Sequence, residues 1–177
     1  MTGGQALRWL RLTPGVLSAL AGGDLTAAST LIGAPLGDFS VTDEARWLWR
    51  YRLDQIEQNP ASAGWIARAA VTDPGDVVVG YAGFHGPPDE GGMVEVGYSV
   101  DPAHRRQGHA TAMLRALLER AQAEPRVRVV RATIRPDNLA SLATLRPFDF
   151  HEVGEQWDDI DGLELIFERP ARESPEG

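Results

Sequence analysis

The sequence predicts a single mixed α/β domain of the α+β kind, a mostly antiparallel sheet of about six to seven strands flanked by helices. Three observations predict it. Strand-like runs follow one another across short turns in the middle of the chain, at 65–71, 77–84 and 93–100. A strongly amphipathic helical stretch, 108–123, links the last of these to another β-rich run, 127–134. The length, 177 residues, suits one hydrophobic core.

The elements follow in order. Residues 7–12 alternate, Leu10 and Leu12 being broken by Arg8 and Arg11, and read as a first strand. Thr13-Pro14 opens a helix, a capping residue followed by proline at the first helical position. Val16, Leu17 and Leu20 give it an apolar side, and Gly22-Gly23 end it. A second helix runs from Asp24 to Leu31, and 33–40 is a loop. Thr42-Asp43-Glu44 starts a longer helix that reaches Gln58 and stops before Asn59-Pro60. Trp47 and Trp49 lie on it, and two tryptophans so close fit either core packing or the lining of a ligand pocket.

The run 93–100 alternates in an informative way. Val94, Val96, Tyr98 and Val100 share one face and read as plain core; Met93, Glu95, Gly97 and Ser99 share the other. A carboxylate, a glycine and a hydroxyl in a central strand suggest a face turned toward a cleft. In 108–123, Ala110, Met113, Leu114, Leu117, Leu118 and Ala121 recur at helical spacing. After 127–134, Asn138 opens a short helix that Pro147 stops. Residues 148–153 and 163–167 read as a closing hairpin joined by a loop at 154–162. The domain spans 7–169, with 1–6 and 170–177 as flexible tails.

Composition narrows the function. A formal net charge of −8 argues against nucleic acid as a partner. There is no cysteine, so thiolate nucleophiles and cysteine-bound metal are excluded. His85, His104, His109 and His151 show no metal-ligand spacing. Every basic side chain is arginine, which excludes Schiff-base chemistry and a Walker lysine. No run is long and apolar enough to span a bilayer, and a cytoplasmic protein without a membrane partner is expected.

The stretch Val100-Asp101-Pro102-Ala103-His104-Arg105-Arg106-Gln107-Gly108-His109-Ala110 joins the cleft-facing strand to the amphipathic helix. A helix start has free N–H groups and partial positive charge. Two arginines add charge and forked donors, and Gly108 lets the backbone approach a ligand. The stretch therefore reads as an anion site, with a solvated basic turn as the plainer reading.

Here the sequence resembles the GNAT superfamily of acyl-CoA-dependent N-acetyltransferases, and most closely its ribosomal-protein N-terminal acetyltransferase (Rim-type) branch. Arg105, Gly108 and Ala110 fill the family's Arg/Gln-x-x-Gly-x-Gly/Ala motif between a strand and a helix. Asn138 and Ser141 match a second motif, Asn-x-x-Ser/Ala, and Glu95-x-Gly97-Tyr98 resembles the Rim-type branch. The resemblance implies a GNAT-like sheet splayed between strands 93–100 and 127–134, and acetyl-CoA as acyl donor with no metal. By resemblance Arg105, Arg106, Gln107, Gly108, His109, Ala110 and Thr111 bind the pyrophosphate, Ser99 and Val100 pair with the pantetheine arm, and Asn138 and Ser141 lie across it. Two positions depart from the family. Leu145 stands where many members carry the tyrosine that protonates the leaving thiolate, and Asp149 stands where a glycine usually precedes Phe150.

The implied reaction is direct attack of a primary amine, a protein N-terminus or a small molecule, on the thioester. The amine must be neutral to attack. Glu95 is the first candidate for the base, with pairing to an arginine or substrate positioning as its alternatives, and His85 is a second candidate. Ser141 is the candidate for protonating the thiolate, although Asn138 and Ser141 also have the spacing of a helix cap. A non-catalytic CoA-binding module is the competing reading. A dinucleotide oxidoreductase fits less well, because no Gly-x-Gly-x-x-Gly follows a strand. The acceptor's identity and a homodimer are left open by the sequence.

Overall fold

The computed structural model describes residues 6–173. The tails expected at 1–5 and 174–177 lie outside the described residues. In order the elements are β1 (Ala6–Arg11), α1 (Pro14–Ala21), α2 (Leu25–Ile32), α3 (Asp43–Gln58), β2 (Arg68–Asp73), β3 (Val78–Phe84), β4 (Met93–Val100), α4 (His109–Ala123), β5 (Val129–Ile134), α5 (Leu139–Leu145), β6 (His151–Asp158) and β7 (Gly162–Pro170).

The seven strands form one sheet in the order β1-β2-β3-β4-β5-β7-β6. Every neighbouring pair is antiparallel except β4 and β5, which α4 connects by a crossover. That parallel pair is short. Only Met93, Val94 and Glu95 align with Val129, Val130 and Arg131. β4 continues to Val100 and β5 to Ile134 without pairing, so the sheet opens there into a wedge, the splay expected between these two strands.

Helices cover both faces. On one, Val16, Leu17 and Leu20 of α1 and Trp49 of α3 pack with Val71 and Tyr81. On the other, Met113, Leu114 and Leu117 of α4 pack with Val94, Val96 and Val130. Burying each large aliphatic side chain contributes roughly 1.5–3 kcal/mol before entropy is charged against it. Trp49 is a core residue, only 2% exposed, whereas Trp47 is half-exposed and stacks on Tyr51 with centroids 5.6 Å apart.

Three sequence expectations need correction. The strand expected from Trp65 begins only at Arg68. Trp65 and Ile66 close a 3-10 turn, both donating backbone N–H groups to Ser62 O, and are apolar because they are buried. The loop expected at 154–162 is mostly strand, since β6 runs to Asp158 and β7 begins at Gly162. Nearly all of β6 is solvent-exposed at the sheet edge, so no alternation marks it. The C-terminal tail is docked as far as Arg172. Pro170 pairs with Val129 in β7, Ala171 is buried, and the Arg172 guanidinium donates to Val127 O (2.9 Å) and Glu124 O (3.0 Å). At the other end Ala6 belongs to β1, opposite Asp73.

Candidate active site

The wedge between β4 and β5 continues into a cavity of about 610 Å³. Ser99, Val100, Arg105, Arg106, Gly108, His109, Ala110, Thr111, Asn138 and Ser141 border it, together with Tyr98, His104, Ala140 and Thr144; Gln107 does not. Among the described residues no carboxylate borders it, although the chain carries a net charge of −8. Local structure supplies further positive character. Side chains cap α1, α2, α3 and α5, through Thr13, Asp24, Thr42 and Asn138. α4 begins at Gly108 with no side-chain cap, so its first amides remain free for an anion. Gly108 holds φ +82° and Arg106 φ +60°. The arginine pays about 1 kcal/mol for that conformation, and the double turn aims the loop's backbone toward the cavity. His109 is buried in the first turn of the helix; burial, and then His104, push its imidazole below the ordinary value.

The main chain of β4 lines the gap. The backbone bonds His85 N–H to Glu95 O and Asp101 N–H to Val79 O, both 2.8 Å, commit the odd-numbered residues of this strand to β3. Bonding direction alternates along a strand, so the groups of Val96, Tyr98 and Val100 face β5, where pairing has already stopped. Ser99 therefore pairs with Tyr81 and turns its amide away from the gap; the main-chain groups of Tyr98 and Val100 face it instead, with Val100 O accepting from Arg105 Nε at 3.4 Å. This alters the expectation that Ser99 and Val100 both present their backbones to a ligand. No bulge is needed to free an N–H here, because the splay does so.

A second cavity, about 620 Å³, lies on the α3 face of the same strand. Phe39, Trp47, Trp49 and Tyr81 give it an aromatic wall, and Glu44 and Asp161 border it with carboxylates. Trp49 Nε1 donates to Ser40 O at 2.8 Å, and its ring meets Tyr81 edge-on at 4.9 Å. Burial pushes the Tyr81 phenol up to about 12, a bond to Ser40 opposing this. Both tryptophans thus line a pocket, and Trp49 packs in the core as well. Tyr98, Ser99 and Arg105 border both cavities, which makes β4 the partition between them.

His85 also borders the second cavity, while Glu95 does not; Glu95 faces a smaller space of about 390 Å³ behind it. The carboxylate accepts a hydrogen bond from Thr133 Oγ1 (2.6 Å) and lies 3.6 Å from His85 Nδ1. That second distance is long for a hydrogen bond but short for a charge interaction. Gly97 is bare where the imidazole crosses it, and a Cβ there would meet Nε2 at 3.0 Å. Burial pushes His85 below its ordinary value; Glu95 opposes this and Arg52 adds to it. Arg52, a buried residue of α3, fixes the end of β3 by donating to His85 O at 3.0 Å and to Gln55 Oε1 at 2.7 Å.

Across the wedge, Asn138 Oδ1 accepts from the Ser141 backbone N–H at 3.1 Å, so Asn138 is the cap of α5. Leu145 is buried in the core, only 3% exposed, and presents nothing polar to either cavity. Asp149 takes φ +56°, a left-handed conformation that aspartate tolerates and that explains a glycine preference at this position. Among the described residues no group of three histidine or carboxylate side chains could hold a metal ion, and no helix is long and apolar enough to cross a membrane.

Sequence reasoning did not single out Arg52, Thr133, Thr144 or the Tyr98 hydroxyl. Arg52 follows Leu48 by one helical turn on α3, which was its only sequence signal. Thr133 and Thr144 reach the site only through long-range packing.

Residues 27–151 match the family model described as an acetyltransferase (GNAT) domain. An uncharacterized N-acetyltransferase of Bacillus subtilis (strain 168) is 31% identical over 100 residues, 56% of this chain, and the match spans only 60% of that relative. Among the solved structures that share the fold are two with a bound cofactor in their names. The ribosomal L7/L12 α-N-protein acetyltransferase RimL in complex with coenzyme A has TM-score 0.62 and 18% identity, covering 93% of each chain. A phosphinothricin acetyltransferase of Sinorhizobium meliloti in complex with acetyl-CoA has TM-score 0.61 and 21% identity, covering 98% of this chain and 95% of that one.

Proposed function

The chain belongs to the GNAT acetyltransferase family, and on that premise we propose that it transfers an acetyl group from acetyl-CoA to a primary amine. One observation carries the reading. A carboxylate-free, arginine-lined cavity at an uncapped helix start meets a second, aromatic and acidic cavity across a single strand. The first suits a pyrophosphate and the arm attached to it; the second suits a cationic amine.

In this reading the pyrophosphate rests on the first turn of α4 with Arg105 and Arg106. The arm runs along the main chain of Tyr98 and Val100 where it faces the gap, with Asn138 and Ser141 opposite. The acetyl carbonyl reaches the partition, where the Tyr98 N–H offers a donor for the developing oxyanion. The amine enters from the second cavity. His85 takes its proton, and Glu95, held by Thr133, stabilises the imidazolium that forms. Glu95 thus serves from behind His85, because it does not border the acceptor cavity. Ser141 faces the leaving sulfur.

The acceptor is a protein N-terminus, as the RimL name states for that protein, or a small-molecule amine. A cytoplasmic location would make acetyl-CoA available. Net acidity accords with a function away from nucleic acid. The exposed edge strand β6, with Val153 and Trp157 uncovered, is where a second copy of the chain would add, and sedimentation tests that homodimer.

Thiol release from acetyl-CoA with a panel of peptide N-termini and small amines tests the activity. Amine-dependent release is expected. Tight CoA binding with no release for any amine would instead identify a CoA-binding module.

A further inference from the structure

The Tyr98 hydroxyl is shielded from solvent and has no hydrogen-bond partner among the described residues. A buried phenol left unpartnered costs free energy, and such a group next to a binding cavity calls for a role. Its neighbours are the hydroxyls of Ser141 and Thr144 on α5, beside which it lies without a well-formed bond to either. Burial pushes the phenol above its ordinary value, and those two hydroxyls pull it partly back. Thr144 already donates to Ala140 O at 2.9 Å. With its proton committed to that bond, Thr144 cannot pass one on, and Ser141 is the hydroxyl of the pair that can release its own proton and take one from the phenol.

The surroundings give that proton one route. Tyr98 borders both cavities, and Ser141 and Thr144 border the first. Leu145, on the same short helix, is buried and carries no proton.

We propose that Tyr98 supplies, through Ser141, the proton that the leaving thiolate takes up. This rests on the acetyltransfer reading above. The amine nitrogen bonds to the acetyl carbon, and the carbonyl π pair moves onto oxygen. When the tetrahedral intermediate collapses, the carbon–sulfur bond breaks and its electron pair goes to sulfur. Sulfur takes the Ser141 hydroxyl proton, and Ser141 takes the Tyr98 proton. The amine's own proton leaves by His85 to solvent. After CoA departs, water entering the cavity returns a proton through Ser141 to the tyrosinate. The net change is acetyl-CoA plus amine to amide plus CoA thiol. Tyr98 is therefore a positioning residue acting through Ser141.

Two measurements test this. Tyr98→Phe is expected to lower kcat by about 10²-fold, the usual scale of general-acid assistance, with KM for acetyl-CoA unchanged. Fluorotyrosine at position 98 is expected to move the alkaline limb of kcat to lower pH, which a merely structural role would not do. Independently of turnover, the Tyr98 phenol is titrated by ultraviolet difference (wild type minus Tyr98→Phe) with CoA and with its desulfo analogue bound. A different midpoint with the two ligands is expected. Wild-type kcat in Tyr98→Phe, or identical midpoints, overturns the relay. A wild-type chain that acetylates no amine sinks the transferase reading instead, and the titration then still decides whether this pair faces the sulfur.

Discussion

Glu95→Gln tests the division of labour between His85 and Glu95. The substitution keeps the shape of the side chain and leaves an amide oxygen that can still accept from Thr133. It removes the negative charge 3.6 Å from His85 Nδ1. His85 is 48% and Glu95 20% exposed, so solvent screens the pair and the dielectric of bulk water is the fair choice. The attraction is then about 1 kcal/mol, which makes His85 roughly fivefold to tenfold harder to protonate without Glu95. The sign is fixed, because a lost anion disfavours the imidazolium. The acid limb of kcat/KM therefore moves to lower pH. Turnover above that limb falls by a similar factor of about five to ten, because the transition state builds positive charge on the ring. Acetyl-CoA affinity stays unchanged. Proton NMR of the His85 C2 hydrogen, assigned with a His85→Gln variant, follows the equilibrium directly. A midpoint that stays put or rises in Glu95→Gln would refute the coupling, and wild-type turnover at every pH would remove Glu95 from the chemistry.

Three further outcomes are expected. Arg106→Ala should weaken acetyl-CoA binding by about tenfold or more, the loss of a charge-assisted contact to phosphate; unchanged affinity by calorimetry would displace the pyrophosphate from this turn. Leu145→Tyr places a larger side chain in a site only 3% exposed and should destabilise the fold by about 1–3 kcal/mol without raising activity; a gain in kcat in thermally stable protein would contradict the placement of Leu145 in the core. Burial holds His109 and His85 below their ordinary 6.5 in the folded chain, so the unfolded chain binds protons that the folded one refuses. Stability should be intact above about pH 6.5 and fall as pH drops below it, by at most about 1.4 kcal/mol per pH unit for each histidine and less for half-exposed His85; a denaturation midpoint flat from neutral to mildly acid pH would contradict this.

The tie between Arg106 and Gly108 shows how far local sequence reaches. Their spacing announced a turn at a helix start, and the structure adds that both hold left-handed backbone. The caps Thr13, Asp24 and Thr42 were legible because a cap and its amide lie within three residues. β6 was not legible, because an edge strand exposed along its length buries no alternating face. Tyr98 misled for the opposite reason. Its alternation with Val94 and Val96 is correct, and all three belong to the core cluster on the α4 side, but Tyr98 also carries a hydroxyl that ends beside Ser141 and Thr144 of α5.

The sequence by itself determined the α/β class, the helix starts, the basic turn that precedes α4 and the family, because each is written in residues close together in the chain. Tertiary structure alone decided which groups meet at the partition. His85 and Glu95 come together through β3–β4 pairing, Glu95 and Thr133 across the last rungs before the splay, and Tyr98 and Ser141 across the gap itself. These partners are 10, 38 and 43 residues apart along the chain. Proximity at such separations is set by sheet register and helix packing, which no local pattern encodes.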